Sequence, residues 1–104
     1  MKPYDYAHRE GVEEIDWQWF AGLARKLAQA LAGENVEMIV GIARAGLVPA
    51  ATVACALRCD LTPVRVTRRD NDVVVRESPA WKVDVSPEVA GKVVAVVDEM
   101  ADSG

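Results

Sequence analysis

The feature that most constrains the fold is the stretch from Val93 to Gly104, in which five consecutive apolar residues run directly into acidic ones. The apolar run is short and rich in valine, which is typical of a strand buried on both faces of a parallel sheet. Asp98 and Glu99 follow it at once, and the carboxyl edge of such a sheet is where open α/β folds bind ligands. Asp102-Ser103-Gly104 then has the composition of a tight anion-holding turn.

The rest of the sequence predicts alternating helices and strands. The predicted elements are helices over 15–32 and 46–57 and strands over 38–43, 62–67, 73–76 and 92–98, with an excursion from the sheet over 78–91. Asp16 can cap the first helix at its start, and Gly33 can end it. This order predicts an α/β fold with a doubly wound parallel sheet, in a single domain over 1–104.

Composition excludes several classes of protein. The net charge of −4 and the isoelectric point near 4.9 argue against nucleic acid as a partner, since nucleic-acid-binding domains present a basic face. Charged residues interrupt every apolar run, so we expect no membrane segment, and the N-terminus lacks the apolar stretch of a signal peptide. The cytoplasm is the expected location.

The two cysteines, Cys55 and Cys59, do not predict a metal site. The chain has no other cysteine, and its one histidine is His8, which leaves too few ligands for zinc. Their spacing of four within a helical pattern predicts a pair of reduced thiols buried on one helix face.

Three polar clusters each follow a predicted strand, at 41–46, 68–70 and 98–104. Parallel strands would bring all three to one edge of the sheet. The first two offer arginines and the amide groups of a helix start, which suit phosphates. The third offers carboxylates, which suit sugar hydroxyls or a hydrated magnesium ion. A ligand that carries both phosphates and a diol would match all three clusters.

Competing interpretations of these clusters can be weighed on the residues themselves. The segment from Gly41 to Gly46 lacks the middle glycine of a dinucleotide fingerprint, and Leu47-Val48 stands where a Walker A loop needs Lys and a hydroxyl.

Solvated strand-end acids would be an ordinary explanation of 98–99, but the turn that follows favours a ligand site. For Arg68 and Arg69, a solvated strand end and a phosphate contact are equally good explanations. The aromatic side chains at 17, 19 and 20 are expected to pack in the core or at its edge.

Two of these segments resemble a known family. Residues 93–104 are similar to the phosphoribosyl-pyrophosphate (PRPP) motif of type I phosphoribosyltransferases, an apolar strand followed by two acids, two small or apolar residues, Asp, Ser or Thr, and Gly. Residues 42–49 resemble the pyrophosphate loop of the xanthine-guanine branch. Glu99 stands where a second Asp is commoner, and Ala45 where Gly is usual. The resemblance implies the type I phosphoribosyltransferase fold, incomplete at the C-terminus.

The resemblance implies roles for the acidic cluster. Asp98 and Glu99 would hold the ribose 2- and 3-hydroxyls, directly or through Mg²⁺. Asp102 matches the catalytic acid that lies near the base and takes part in proton transfer. With Ser103 and Gly104, it would also begin the loop around the 5-phosphate.

The basic clusters receive roles in the same way. Arg44, Ala45 and Gly46 would cradle the pyrophosphate, and we expect a cis peptide bond between Arg44 and Ala45. Arg68 or Arg69 could add to the pyrophosphate contacts. The excursion over 70–91 lies where the family carries a mobile loop that closes over the site.

The implied function is transfer of phosphoribosyl from PRPP to a nucleobase, a purine being favoured, with Mg²⁺ as cofactor and pyrophosphate as product. A PRPP-binding regulatory protein or an inactive pseudoenzyme is the alternative. The absence of a basic surface favours the enzyme. We expect the chain to be a truncated domain with little or no activity alone. The resemblance also allows a homodimer.

Overall fold

The computed structural model describes residues 11, 13–67, 69–70, 73–74 and 80–100. Within these ranges the chain forms two helices, six strands and a short 3₁₀ helix at Pro87–Val89. The helices are α1 (Trp17–Ala32) and α2 (Leu47–Leu57), and the strands are β1 (Met38–Ile42), β2 (Asp60–Thr67), β3 (Arg69–Asp70), β4 (Val73–Val74), β5 (Ala80–Val83) and β6 (Val94–Val97).

Helix α1 has the two cap residues that the sequence indicated, although it begins at Trp17 and not at Ile15. The Asp16 side chain accepts a hydrogen bond from the Trp19 amide at 2.7 Å, which satisfies one of the free N–H groups of the first turn. Gly33 is the C-cap, and its amide donates to the Leu31 carbonyl. Asn35 then adopts a left-handed conformation (φ 54°) before β1 begins, a conformation that asparagine tolerates better than most residues.

Four strands form one sheet in the order β5-β2-β1-β6. β1 pairs in parallel with β2 on one side and with β6 on the other, and Gly41 lies opposite both Pro63 and Val97. β5 pairs antiparallel with the second half of β2, with a register irregularity between Arg65 and Val66. The α/β fold class is confirmed, with a sheet that is mostly rather than wholly parallel.

Helix α2 packs against one face of this sheet, and α1 packs against α2. Small and β-branched side chains from α1, α2 and the strands form one buried cluster: Ala28, Ile39, Ala50, Val53, Ala54 and Val97. Gly41 allows α2 to lie close to β1, because a Cβ there would stand 2.8 Å from Ala50 Cβ and 2.9 Å from Leu47 Cδ2. This close approach fixes the start of α2 over the end of β1, where the first polar cluster lies.

The excursion predicted over 78–91 is wrong in part. Residues Ala80–Val83 return to the sheet as the edge strand β5, and the 3₁₀ helix follows, capped by the Ser86 hydroxyl. Proline and acidic residues in this segment suggested a loop, but antiparallel pairing with β2 supplies the backbone hydrogen bonds. The short hairpin of β3 and β4 agrees with the extra strand predicted over 73–76.

The cysteines are free, as predicted, but they are not a buried pair. Cys55 is exposed and Cys59 is half-buried. Arg58 takes the left-handed conformation (φ 56°) and ends α2, so Cys59 lies outside the helix and shares no helix face with Cys55. The Cys59 thiol donates instead to the Val36 carbonyl at 3.2 Å.

The aromatic residues at the start of α1 are also more exposed than expected. Trp17 is 77% exposed and packs edge-on against Phe20, with ring centroids 5.7 Å apart. Leu23 and Leu27, whose spacing along the helix is typical of a core face, are 43% and 36% exposed. The helix presents Ala24 and Ala28 to the interior, which turns the bulkier leucines toward a cleft. Within the described residues, neither helix has the length and apolar content needed to cross a bilayer.

Candidate functional site

The first polar cluster forms a tight loop between β1 and α2. The Ala43 amide donates to the Val64 carbonyl at 2.8 Å, which extends the β1–β2 ladder by one residue. The Arg44 and Ala45 carbonyls then accept from the amides of Leu47 and Val48, at 3.1 and 3.2 Å. Arg44 and Ala45 are exposed at the carboxyl edge of the sheet, so their side chains and backbone are accessible to a ligand there.

The predicted position of the cis peptide bond is wrong by one residue. The cis bond joins Ala43 to Arg44, whereas the prediction placed it between Arg44 and Ala45. The Arg44 carbonyl already takes part in the turn that leads into α2.

The start of α2 is in direct contact with the end of β6. A Cβ at Gly46 would meet the Ile42 carbonyl oxygen, and it would stand 2.9 Å from Asp98 Oδ1 and 3.1 Å from Asp98 Cα. Gly46 is buried and is the N-cap of α2, with no side-chain hydrogen bond of its own. The Asp98 carboxylate thus lies beside the positive end of the helix dipole, where an anion is favoured.

Asp98 and Glu99 form a pair of exposed, adjacent carboxylates. Asp98 Oδ1 accepts a hydrogen bond from the Glu99 amide at 2.8 Å. The hydrogen bond to the Asp98 side chain, slight burial and the negative charge of Asp98 together raise the pKa of Glu99 above its ordinary value of 4.5. The pair therefore favours a proton or cation shared between the two carboxylates, or a ligand that donates hydrogen bonds to both of them.

An apolar cleft of about 320 Å³ opens next to these carboxylates. Residues in and just before α1 and at the start of α2 line it, together with Asp98 and Glu99. The apolar residues that line it include Ile15, Phe20, Leu23, Leu27 and Val48. The sequence did not predict that α1 contributes to this region, because its leucine spacing is equally typical of a core face.

The structure brings together two of the three predicted clusters. The loop between β1 and α2 over 43–46, which we name the arginine loop, and the Asp98–Glu99 pair meet at Gly46. Of the second cluster, Arg69 begins the β3–β4 hairpin, and Arg68 lies outside the described residues. Asp102, Ser103 and Gly104 also lie outside them, so their predicted roles stay predictions.

Comparison with known proteins found a family model and solved structures that this chain resembles. The sequence matches the family model for the phosphoribosyl transferase domain over residues 11–104. Among solved structures, the chain is similar to a purine phosphoribosyltransferase from Pyrococcus horikoshii Ot3, with a TM-score of 0.70 and 25% identity. The match covers 81% of this chain and 54% of that one.

A second solved structure supports the fold alone. It is a hypothetical protein from Neisseria gonorrhoeae with bound ppGpp, at a TM-score of 0.58 and 19% identity. That match covers 79% of this chain and 51% of the other. The chain thus spans about half the length of the solved structures that it resembles.

Proposed function

Because the chain belongs to the phosphoribosyl transferase domain family, we propose that it forms the sugar-phosphate-binding part of an enzyme that transfers phosphoribosyl from PRPP to a nucleobase. The observation that carries the proposal is the contact between Gly46 and Asp98, which joins an arginine loop to a carboxylate pair. The likeness to a purine phosphoribosyltransferase favours a purine as the acceptor.

The arginine loop is proposed to bind the pyrophosphate group. Arg44 supplies a guanidinium, which suits phosphate oxygens in its geometry and charge. Ala45 and Gly46 lead into α2, which has neither an acidic residue in its first turn nor a side-chain cap. The positive end of the helix dipole, beside which the Asp98 carboxylate already lies, would also attract a bound diphosphate. The charged Arg44 would stabilise the leaving diphosphate as negative charge develops on it.

The carboxylate pair is proposed to bind the ribose diol and Mg²⁺. Two exposed carboxylates are oxygen donors of the kind that Mg²⁺ prefers, and such a site leaves room for water and for substrate oxygens. When bound, Mg²⁺ would neutralise charge on the diphosphate. Asp98 and Glu99 would then hold the sugar in position through its 2- and 3-hydroxyls.

The remaining predicted site residues complete the proposal. Asp102 is proposed as the catalytic residue that moves a proton at the base, and Ser103 and Gly104 as part of the 5-phosphate loop. Arg68 or Arg69 would contact the pyrophosphate. In this scheme a base nitrogen displaces pyrophosphate at C1 of the ribose, and positive charge builds on the ribose as the bond to pyrophosphate breaks. The main task of the protein is to hold the base and the sugar in the orientation that this displacement needs.

Calorimetric titration of the 104-residue chain with PRPP and Mg²⁺ tests the site. We expect saturable binding that requires Mg²⁺ and that falls when Arg44 is replaced by Gln. Asp84 is a matched control, because its carboxylate also accepts from the next amide, at 2.7 Å, so Asp84→Asn should leave binding unchanged. Absence of binding, or equal binding by the Arg44→Gln variant, would contradict the proposal.

Pyrophosphate release with a panel of purine and pyrimidine bases then separates the two functions. Release with a purine base would establish transfer, and it would also contradict the expectation that the chain alone is inactive. The alternative of a PRPP-binding regulatory protein predicts binding of PRPP without release of pyrophosphate for any base.

A further inference from the structure

Glu37 joins the start of β6 to the start of β1, at the end of the sheet opposite the candidate site. The Glu37 amide donates to the Val93 carbonyl at 2.8 Å, and the Val93 amide donates back to Glu37 Oε1 at 3.1 Å. Val93 immediately precedes the first residue of β6, Val94, which pairs with Met38. The Glu37 carboxylate therefore supplies an acceptor to an amide that lies just outside the paired strand.

The turn before β6 is held by bonds of its own. The Lys92 amide donates back into the 3₁₀ helix at 3.1 Å, and Gly91 takes a left-handed conformation (φ 74°), which glycine adopts without steric cost. The link from this turn to β1 comes from Glu37 and from the Met38 amide, which donates to the Val93 carbonyl at 3.3 Å. Of these contacts to Val93, only the Glu37 carboxylate belongs to a side chain, so it is the one that a substitution can remove.

The apolar sequence of β6 does not by itself specify its register against β1. Valine or alanine occupies every position from 93 to 97. A shift of β6 by two residues, toward the end of the sheet that carries the site, would keep each side chain on its present face and apolar residues opposite most of β1. Asp98 would move by about 7 Å along the strand, whereas its Oδ1 now stands 2.9 Å from the Cβ position of Gly46. The candidate site therefore depends on contacts that hold β6 in one register.

Glu37 lies too far from the acid pair to touch a ligand there. Asp98 comes five residues after Val93, which corresponds to about 17 Å of extended strand. The Glu37 side chain is exposed and does not line the cleft beside the acid pair. Its effect on the site can pass only through the backbone of β6.

We propose that Glu37 is a positioning residue of the candidate site: by binding both the amide and the carbonyl of Val93, it holds β6 in the register that sets Asp98 against Gly46. It fixes a position and takes no part in the chemistry. Its effect on PRPP rests on the proposed function, whereas the place of Asp98 can be measured with no ligand present. The two can therefore fail separately.

Three substitutions separate this role from a general effect on stability. Glu37→Ala removes the acceptor of the Val93 amide, whereas Glu37→Gln keeps an oxygen at the same reach. Glu34→Ala is the matched control, because Glu34 is also an exposed acid and lies in the turn before β1. Circular dichroism and urea unfolding verify that the variants fold. Glu37→Asp, which keeps the charge but shortens the side chain by one methylene group, replaces Glu37→Ala if that variant does not fold.

NMR measures the place of Asp98 in the absence of ligand. A nuclear Overhauser effect is expected in wild type between the α protons of Gly46 and Asp98, since a Cβ at Gly46 would stand 3.1 Å from Asp98 Cα. In Glu37→Ala this effect should be lost, and the Val93 amide should exchange with solvent about tenfold faster, because it loses a hydrogen bond to a charged group. Glu37→Gln and Glu34→Ala should keep the effect.

Calorimetry then measures the consequence for the ligand. Glu37→Ala should lower the affinity for PRPP with Mg²⁺ by about fivefold or more, and Glu37→Gln and Glu34→Ala should stay within about twofold of wild type. Rescue by glutamine identifies the hydrogen bond, rather than the negative charge, as the cause. If no chain binds PRPP while the α-proton contact is lost only in Glu37→Ala, the positioning role stands and the proposed function fails.

Three results would overturn the proposal. One is a Glu37→Ala variant that keeps the contact between Gly46 and Asp98, because β6 would then hold its register without the carboxylate. Another is loss of this contact in Glu37→Gln as well, which would show that the hydrogen bond to Val93 is not the cause. The third is unchanged PRPP affinity in a Glu37→Ala variant that has lost the contact, which would show that the site does not need this register.

Discussion

Gly46 lies so close to Asp98 that a side chain at position 46 has no room. Its absent Cβ would stand 2.9 Å from Asp98 Oδ1 and 3.1 Å from Asp98 Cα, and it would collide with the Ile42 carbonyl on the other side. Two of these neighbouring atoms belong to the backbone, which cannot move without displacing β1 or β6. Contact between the arginine loop and the acid pair therefore depends on glycine at this position.

Replacing Gly46 by Ala should separate the two halves of the site. We expect a loss of stability of about 1–3 kcal/mol from overpacking and a fall in PRPP affinity of about tenfold or more, because Asp98 must shift. Urea unfolding and calorimetry measure the two effects. Gly22→Ala is the control, since a Cβ there meets nothing within 4 Å, and it should stabilise α1 by about 0.5–1 kcal/mol. Equal PRPP affinity in wild type and Gly46→Ala would show that the contact is not needed.

Removing either negative charge of the acid pair should weaken binding of PRPP with Mg²⁺. Asp98→Asn and Glu99→Gln keep the shape of each side chain, so each should lower affinity by about tenfold without a large change in stability. Calorimetry at several Mg²⁺ concentrations should show that the loss is greatest when Mg²⁺ is limiting. If Asp98→Asn binds as tightly as the control Asp84→Asn, the acid pair is not part of the site.

The raised pKa of Glu99 predicts a specific dependence of stability on pH. A carboxyl that holds its proton more tightly in the folded state than in the unfolded state contributes stability fully below about pH 4.5, and this contribution is lost as the pH rises through the folded pKa. In the Glu99→Gln variant this side chain is neutral at every pH, so the variant does not lose this contribution to stability as the pH rises. The free energy of unfolding of wild type, relative to Glu99→Gln, should therefore fall as the pH rises above about 4.5.

Asp98 supplies both the hydrogen bond and the charge that raise this pKa. The Asp98→Asn variant should consequently show a weaker dependence on pH than wild type. Urea unfolding at half-unit pH steps measures all three proteins. A constant difference between wild type and Glu99→Gln over the whole range would contradict the assigned environment of the carboxyl.

The parallel strands and the arginine loop could be predicted because their sequence signals are local. Valine runs that end in acids, and an apolar strand followed by an alanine-rich helix, specify buried parallel strands whose ends share an edge. The contact between Gly46 and Asp98 needed the register of β1 against β6, since Gly41 pairs with Val97 and sets how far the two loops extend. Register of this kind depends on tertiary packing and is not encoded in either segment alone.

Other features were missed because one pattern fits two structures. Leu23 and Leu27 have the spacing of a core face, but Ala24 and Ala28 fill the interior and the leucines line the cleft. Strand β5 was missed because Trp81 and Lys82 lie among proline and acidic residues, and an edge strand needs no apolar alternation on both faces. In both cases the neighbouring elements decide which side of the segment is buried.

The N-cap of α1 offers a test of how far the start of this helix depends on local sequence. Asp16→Ala removes the acceptor of the 2.7 Å hydrogen bond from the Trp19 amide, so we expect a loss of about 1 kcal/mol in the free energy of unfolding. Glu14→Ala is the matched control, because Glu14 is also an exposed acid just before the helix, and it should change stability by less than about 0.5 kcal/mol. Urea unfolding measures both variants. Equal stability of the two variants would mean that packing of Phe20, rather than the cap, fixes the start of α1.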